Sequence, residues 1–375
     1  MRLHSRTQST NITSLQSQFP EVRVLVTGQT NRERPSQDEE DKTVSSENVP
    51  PEVKRIADDI RDMKIRGAGE LARSAVRALM IACQKSSAKT SQDLLADLRA
   101  AAVALLETRP TAVSLPNGIR YVMHRVSQAA QRTQEVGQVR LAGIRAAEEF
   151  IANSNTAIER IGEIGARRIQ DGDVLLTHCN SSAAISVIKT AWKIGKRFRV
   201  YATETRPRFQ GRLTAGILLG QGIPVTMIID DAARHFMKDI DKVVVGADAV
   251  TANGAVVNKI GTSMIALAAK ESDVNTFVAA ETYKFSPETM IGEAIPIEQR
   301  SLHEVISEAE LQKLPGLEVK NPSFDVTAPE YIDLIITERG IIPPQGAILI
   351  LQELMGTITP EELDEYKTLT LAEVD

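Results

Sequence analysis

Cysteine is almost missing from this chain of 375 residues, which has two, Cys83 and Cys179. Two thiols so far apart in sequence make no disulfide framework, and a reducing, cytoplasmic setting is the natural expectation. Histidine is nearly as scarce, with five scattered residues and no zinc-type spacing, so no metal site is expected. No apolar run reaches the ~18 residues needed to cross a bilayer. The opening Met1-Arg2-Leu3-His4 leads into Ser, Thr, Asn and Gln and lacks the apolar stretch of a secretory signal. Positive charge is not in excess: 44 Lys and Arg against 49 Asp and Glu give a net charge of −5, which argues against a nucleic-acid partner. Cations for an anionic ligand would have to be gathered locally. Neither a Walker motif nor a G-x-G-x-x-G after a strand is present, so no cofactor is expected.

Hydrophobic residues make up 42% of the chain and charged residues 25%, ordinary values for a globular protein with a substantial core. Residues 1–50 read as a disordered extension. The run Arg32 to Lys42 is polar, with nothing to bury, and Val22–Val26 is at most a short strand. Order is expected near Pro50-Pro51, since proline suits a first helical turn. Residues 51–168 read as a helical domain: Val53, Ile56, Ile60 and Met63 recur at helical spacing, and Leu71–Cys83, Leu94–Leu106, Ile119–Ala130 and Val139–Arg168 continue the pattern. Residues 169–375 change period. Apolar runs at 174–177, 198–202, 225–229, 243–245, 276–279 and 334–336 alternate with helical segments such as Ala183–Ile194 and Leu213–Leu219. The fold class is therefore α/β, an N-terminal helical domain followed by a Rossmann-like, doubly wound parallel sheet. Ligands of such sheets bind beyond the carboxyl ends of the strands. Cys179, Glu204, Asp230, Asp248 and Glu281 all fall there and are expected to face one crevice.

Cys179, in Thr177-His178-Cys179-Asn180-Ser181-Ser182, joins a strand to a helix whose first amides would lower a thiol pKa and favour the thiolate. A buried structural cysteine is the competing reading, and the one that fits Cys83 in its alanine-rich helix. His178 beside it fits a hydrogen-bonded scaffold residue better than a ligand or an acid. Asp248 ends the apolar run Val243–Ala247, where desolvation would raise its pKa and keep a proton on it near neutrality; a turn or cap residue is equally compatible. Thr251–Gly254 has turn composition. Lys259, in Asn258-Lys259, could neutralise a phosphate, as could Lys284 after the strand ending at Ala280; either could be a solvated surface lysine. The paired glycines of Arg66-Gly67-Ala68-Gly69 allow close approach of backbone to a ligand, with Arg66 offering a planar fork for phosphate oxygens. Arg109, before Pro110, is ambiguous in the same way. In the loop Glu204–Arg212, which packs three arginines, an ion pair of Glu204 with Arg206 or Arg212 that shapes the loop is the plain reading. The apolar helix Ala347–Met355 suggests a buried or subunit-facing element.

Taken in order, Arg66–Gly69, Arg109–Val113, His178-Cys179-Asn180, Glu204–Pro207 with Gln210-Gly211, Gly246-Ala247-Asp248, Asn258–Thr262 and Ile335–Gly340 form a set. Over roughly residues 51–345 it resembles the superfamily joining the regulatory subunits of translation initiation factor 2B with the isomerases of methylthioribose 1-phosphate and ribose 1,5-bisphosphate. The regulatory subunits generally lack the cysteine–aspartate pair, so its presence implies an enzyme. The polar run Asn180–Ala183 suits a second phosphate, where the methylthioribose enzymes tend to have a glycine-rich, less polar run. The resemblance is thus greatest to the archaeal bisphosphate branch. It implies conversion of ribose 1,5-bisphosphate to ribulose 1,5-bisphosphate, in AMP degradation feeding RuBisCO. A methylthioribose-1-phosphate isomerase and a non-catalytic regulatory subunit are the alternatives. Carried over residue by residue, the resemblance makes Cys179, as thiolate, the proton acceptor and Asp248 the donor. It has Arg66, Gly67, Ala68, Gly69 and Arg109 touch substrate from the helical domain, and Ser181, Ser182, Ala183, Asn258, Lys259 and Lys284 from the sheet domain. Closure between the domains would exclude water. It further implies a homo-oligomer, a hexamer built as a trimer of dimers.

Overall fold

Helix propensity and amphipathic spacing account for the first half of the molecule, which a computed structural model describes over residues 49–109 and 111–355. The expected strand at Val22–Val26, the polar extension and the last twenty residues lie outside the described residues. Five helices come first: α1 (Pro51–Arg61), α2 (Ala68–Lys85), α3 (Ser91–Leu106), α4 (Ser114–Arg132) and α5 (Val136–Ala166). The first starts on Pro51, where the missing N–H costs nothing. Leu71, Ala75, Leu79 and Cys83 line the buried face of α2 at four-residue spacing. Small residues let the 31-residue α5 approach its neighbours closely. A Cβ at Gly143 would press on Cys83 and Val126, one at Gly162 on Ser186 and Thr190, and one at Gly165 on Val187.

From Val174 the chain alternates strand and helix: β1 (Val174–Thr177), α6 (Ser182–Lys193), β2 (Arg199–Thr203), α7 (Gln210–Leu219), β3 (Val225–Ile228), the short α8 (Ala233–Phe236) and β4 (Lys242–Gly246). There follow β5 (Ala249–Val250), β6 (Val256–Lys259), α9 (Thr262–Glu271), β7 (Asn275–Ala279), α10 (Glu308–Leu311), β8 (Phe324–Thr327), β9 (Leu334–Thr337), β10 (Gly340–Ile342) and α11 (Ala347–Met355). Seven strands form one sheet in the order β10-β9-β7-β4-β1-β2-β3, all parallel except β10, which runs antiparallel at the edge. The order reverses between β1 and β4: the chain goes outward through β2 and β3, then returns to the other side of β1. That reversal splays the loops after β1 and β4 apart and opens a crevice, the usual ligand position in such sheets. The chain thus has the α/β arrangement expected, with one addition: β5, β6 and β8 make a small antiparallel sheet. Asn258 and Lys259 accordingly end β6, and Thr251–Gly254 makes the β5–β6 turn.

The helical part and the sheet part belong to one compact unit. The far end of α5 lies on α6, while its near end packs on α2 and α4. Asn117 of α4 donates from Nδ2 to the carbonyls of Tyr283 and Phe285, both at 2.9 Å, and so fixes the turn after β7. No described helix is long and apolar enough to cross a membrane.

Candidate active site

Cys179 and Asp248 flank the reversal point, one just beyond β1 and the other just beyond β4. Both line one cavity of about 500 Å³, a size that suits a small metabolite. Arg66, Gly67, Ala68, Gly69, Arg109, Ser181, Ser182, Asn258, Lys259 and Lys284 line it as well. Ala183, expected to touch substrate, does not: it is fully buried and packs in the core beneath α6. Of the five strand-end groups expected to share a crevice, Cys179, Asp248 and Glu281 do so. Glu204 instead pairs with Arg212 at 3.3 Å. Asp230 accepts the backbone N–H groups of Thr205 and Arg206 at 2.8 and 2.7 Å and is a loop anchor.

The lining is strongly cationic. Eight lysines and arginines face it against four acidic residues, in a chain whose net charge is −5. Two helices add their N-termini. Gly67, at φ 87°, caps α2 in a conformation a side chain would resist, and it leaves the first-turn amides of Ala68 and Gly69 without partners inside the helix. Ser181 caps α6, its Oγ accepting the Ala184 N–H at 3.3 Å. Dipole and open amides together favour an anion at each end.

Several cations are held rather than free to swing. Arg109, nearly buried, pairs with Glu298 at 2.7 Å, while its Nε is buried without a hydrogen-bond partner. Arg300 pairs with the other oxygen of Glu298 at 3.0 Å, and both guanidinium groups point an N–H at the Met63 sulfur. Lys284 and Glu281 form a buried pair at 2.6 Å. Behind it, Arg73 donates to Ser154 at 3.1 Å, Ser154 to Tyr283 at 3.0 Å, and Tyr283 to Glu281 at 3.1 Å. Lys259 donates to the Ser323 carbonyl at 3.0 Å and lies over the Phe324 ring. Arg208 pairs with Glu304 at 3.1 Å. Sequence reasoning missed Arg300, which lies in a segment without periodicity, and gave Arg208 no role of its own, although it faces the cavity. Three arginines in one strand-end loop was the available signal for Arg208; none existed for Arg300.

Loss of water governs the two reactive groups: each residue keeps part of its surface open to the cavity, yet is surrounded by enough protein to be desolvated. Desolvation raises Asp248 above the usual carboxylate range, against the pull of Lys284, Lys259 and Arg109. That direction matches the sequence expectation. For Cys179 the expectation of a lowered thiol pKa is overturned: desolvation pushes it up to about 12, Asp248 adds to the rise, and Lys259 offsets only part. A helix N-terminus supplies partial charge; loss of water around sulfur costs more. Cys179 also adopts φ 68°, a left-handed conformation that costs a non-glycine residue roughly 1–3 kcal/mol. His178 is buried and its pKa lowered by desolvation, so the ring is neutral; it bridges Thr203 at 2.6 Å and the Ile260 carbonyl at 2.9 Å, a scaffold role. Cys83 lies fully buried in the helical core. Among the described residues, no group of three or more His, Cys, Asp or Glu could hold a metal ion.

A profile of the initiation factor 2 subunit family matches residues 64–344. The chain belongs to this family. Relatives include the ribose 1,5-bisphosphate isomerase of Thermococcus kodakarensis, 58% identical over 82% of this chain and 96% of that protein. The methylthioribose-1-phosphate isomerase of Acetivibrio thermocellus is 40% identical over 77% of this chain and 87% of its own length. Among solved structures of similar fold, the translation initiation factor eIF-2B of Pyrococcus horikoshii superposes with a TM-score of 0.68 at 32% identity, covering 80% of this chain and 99% of that one. The 5-methylthioribose 1-phosphate isomerase of Pyrococcus horikoshii gives 0.66 at 30% identity, covering 80% and 88%. Members of the initiation factor 2 subunit family thus include both factor subunits and isomerases, and the fold does not separate them.

Proposed function

We propose that this chain is an aldose–ketose isomerase converting ribose 1,5-bisphosphate to ribulose 1,5-bisphosphate. The observation that carries the reading is the meeting of one thiol and one carboxyl, Cys179 and Asp248, in a single cation-lined cavity at the sheet's reversal point. Relatives 58% and 51% identical bear the name of that activity. Two anion seats, at the α2 and α6 N-termini, match a sugar with a phosphate at each end. Arg66 to Gly69 and Arg109 serve the ligand from the helical side, and Ser181, Ser182, Asn258, Lys259 and Lys284 from the sheet side.

The protonation pattern suits the chemistry. Cys179, raised to about 12, keeps its proton near neutrality. Asp248, raised by burial but faced by Lys284, Lys259 and Arg109, is the group that can stand ionised. The reactive form is therefore the one in which the pair holds a single proton. Moving it from sulfur to carboxyl creates the base and the acid together. Protonated Asp248 gives its proton to the ring oxygen and the C1–O bond to the ring breaks. The Cys179 thiolate takes the hydrogen from C2, leaving an enol phosphate across C1 and C2. The C2 hydroxyl then returns a proton to Asp248 while the thiol protonates C1, giving the ketone at C2 and a CH₂–O–phosphate at C1. Positioned proton transfer of this kind contributes roughly 10²–10⁴-fold. The substrate supplies no electrons to an outside acceptor, so the reaction balances without a redox partner. A cytoplasmic homo-oligomer goes with this reading.

The test is incubation of purified protein with ribose 1,5-bisphosphate and, separately, methylthioribose 1-phosphate, following ketose by ³¹P NMR. Ribulose 1,5-bisphosphate formation is expected, abolished in Cys179→Ser and Asp248→Asn. Turnover of the methylthio sugar alone would move the chain to the other isomerase branch. Turnover of neither would leave a binding subunit.

A further inference from the structure

The seat of Cys179 is built from side chains rather than from backbone. Its peptide N–H donates to Thr205 Oγ1 at 2.9 Å, and its carbonyl accepts from Thr214 Oγ1 at 2.7 Å. Thr205 lies just beyond β2 and Thr214 within α7, so two separate elements grip one residue from opposite sides of its Cα. That residue is held at φ 68°, a conformation it would leave if released.

Hydrogen-bond direction can be followed outward from Thr205. The Ile260 carbonyl only accepts, so His178 Nε2 carries the proton. With the ring neutral, Nδ1 accepts, and the Thr203 hydroxyl must donate to it. Thr205 in turn donates to Thr203, whose Oγ1 lies at 3.3 Å and whose carbonyl oxygen at 3.4 Å. A lone pair on Thr205 Oγ1 is thereby left for the Cys179 N–H. Asp230 fixes the Thr205 backbone from the far side. Gly261, next to Ile260, has room for no Cβ without pressing on the His178 ring at 3.2 Å. The chain therefore runs from the loop that follows Lys259, through His178, Thr203 and Thr205, to the backbone of Cys179.

We propose that Thr205 and Thr214, with His178 and Thr203 behind Thr205, are positioning residues that hold Cys179 in its left-handed conformation and so keep its sulfur seated in the cavity. None of the four lines the cavity. Their effect on turnover rests on the isomerase reading; their effect on the thiol does not.

The experiment uses the full-length protein and two readouts: kcat and KM for ribose 1,5-bisphosphate, and the rate at pH 8 at which iodoacetamide alkylates Cys179, resolved from Cys83 by peptide mass spectrometry. Thr205→Val removes the hydroxyl at nearly constant shape. It is expected to lower kcat at least tenfold with KM changed less than twofold, and to speed Cys179 alkylation severalfold as the sulfur leaves its buried seat. Thr205→Ser should restore both. Thr214→Val, on a different element, should show the same pattern and serves if Thr205→Val does not fold. Should the wild type turn over neither sugar, the alkylation contrast alone decides. Folded Val variants that alkylate at the wild-type rate, or that raise KM while keeping kcat, would overturn the proposal.

Discussion

Gly246→Ala tests the geometry of the reversal point most directly. Gly246 ends β4, two residues before Asp248, and a Cβ built there meets the Ser181 Oγ and Cβ far inside the 3.0 Å that real Cβ contacts essentially never breach. Ser181 is the α6 cap, two residues after Cys179. Carbon atoms pack at about 3.5–4.0 Å, so β4 and the α6 cap would have to separate by roughly 1 Å or more. The obstacle is the stub of a capped residue, not the far end of a flexible side chain. Overpacking of this kind costs roughly 1–3 kcal/mol. The same displacement falls between the thiol and the carboxyl, and a 1 Å misplacement costs on the order of 10²-fold in rate. Thermal melts and kcat/KM on ribose 1,5-bisphosphate measure the two effects. The double variant Gly246→Ala/Ser181→Gly removes the clash, and recovery of most of the lost stability is expected even though the Ser181 cap is gone. A single Gly246→Ala variant with wild-type melting and wild-type turnover would refute the view that the two loops are in register through this contact.

Three more outcomes are expected. In the pH profile of kcat, activity needs the singly protonated pair; its acid limb should lie above the ordinary carboxylate range because Asp248 is raised, and its alkaline limb toward the thiol value of about 12. An acid limb at an ordinary carboxylate value would contradict the burial argument. Asp325 caps α9 by accepting the Gly261 and Ser263 N–H groups at 2.7 and 3.1 Å, yet burial raises it to about 6. The folded state then holds a proton the unfolded chain has released, so stability present below about pH 4 is lost as pH rises through about 6, by roughly 1–3 kcal/mol. Chemical denaturation of Asp325→Asn at several pH values should lack this fall, and an unchanged slope would remove Asp325 as its source. Gly143→Ala places a methyl 2.7 Å from the Cys83 sulfur and 2.9 Å from Val126 in the helical core. It should lower the melting temperature with kcat/KM per folded molecule intact, as checked by calorimetry and assay.

Much of this architecture is written in periodicity. The three- and four-residue spacing of α1 and α2 and the four-residue apolar run of β1 are local signals, and their elements stand where those signals put them. The small sheet was not legible, because β5 has two residues and β6 is only four residues long, ending in Asn258 and Lys259. The candidate cavity was legible where motifs sit at strand ends, as at Cys179 and Asp248. It was illegible where a long irregular segment returns in space, as with Arg300, whose partner Glu298 also holds Arg109. The thiol pKa failed for a different reason: helix polarity can be read from a sequence, whereas the amount of water left around a sulfur is known only once the chain has folded.

The single long helix α5 bears on how a ligand gets in. A rod of 31 residues is roughly 45 Å long, and it is bolted by glycine contacts to α2 and α4 near one end and to α6 near the other. A hinge between the two walls of the cavity would have to bend that rod or strip it from one set of neighbours. Access is more cheaply controlled by the stretch from Glu298 to Ser323, which carries Arg300 and Glu304 into the cavity lining and whose helical structure is limited to a 3-10 turn at Leu302–Glu304 and the four-residue α10. Amide exchange should accordingly run faster there than along α5, and slow there on addition of the sugar bisphosphate.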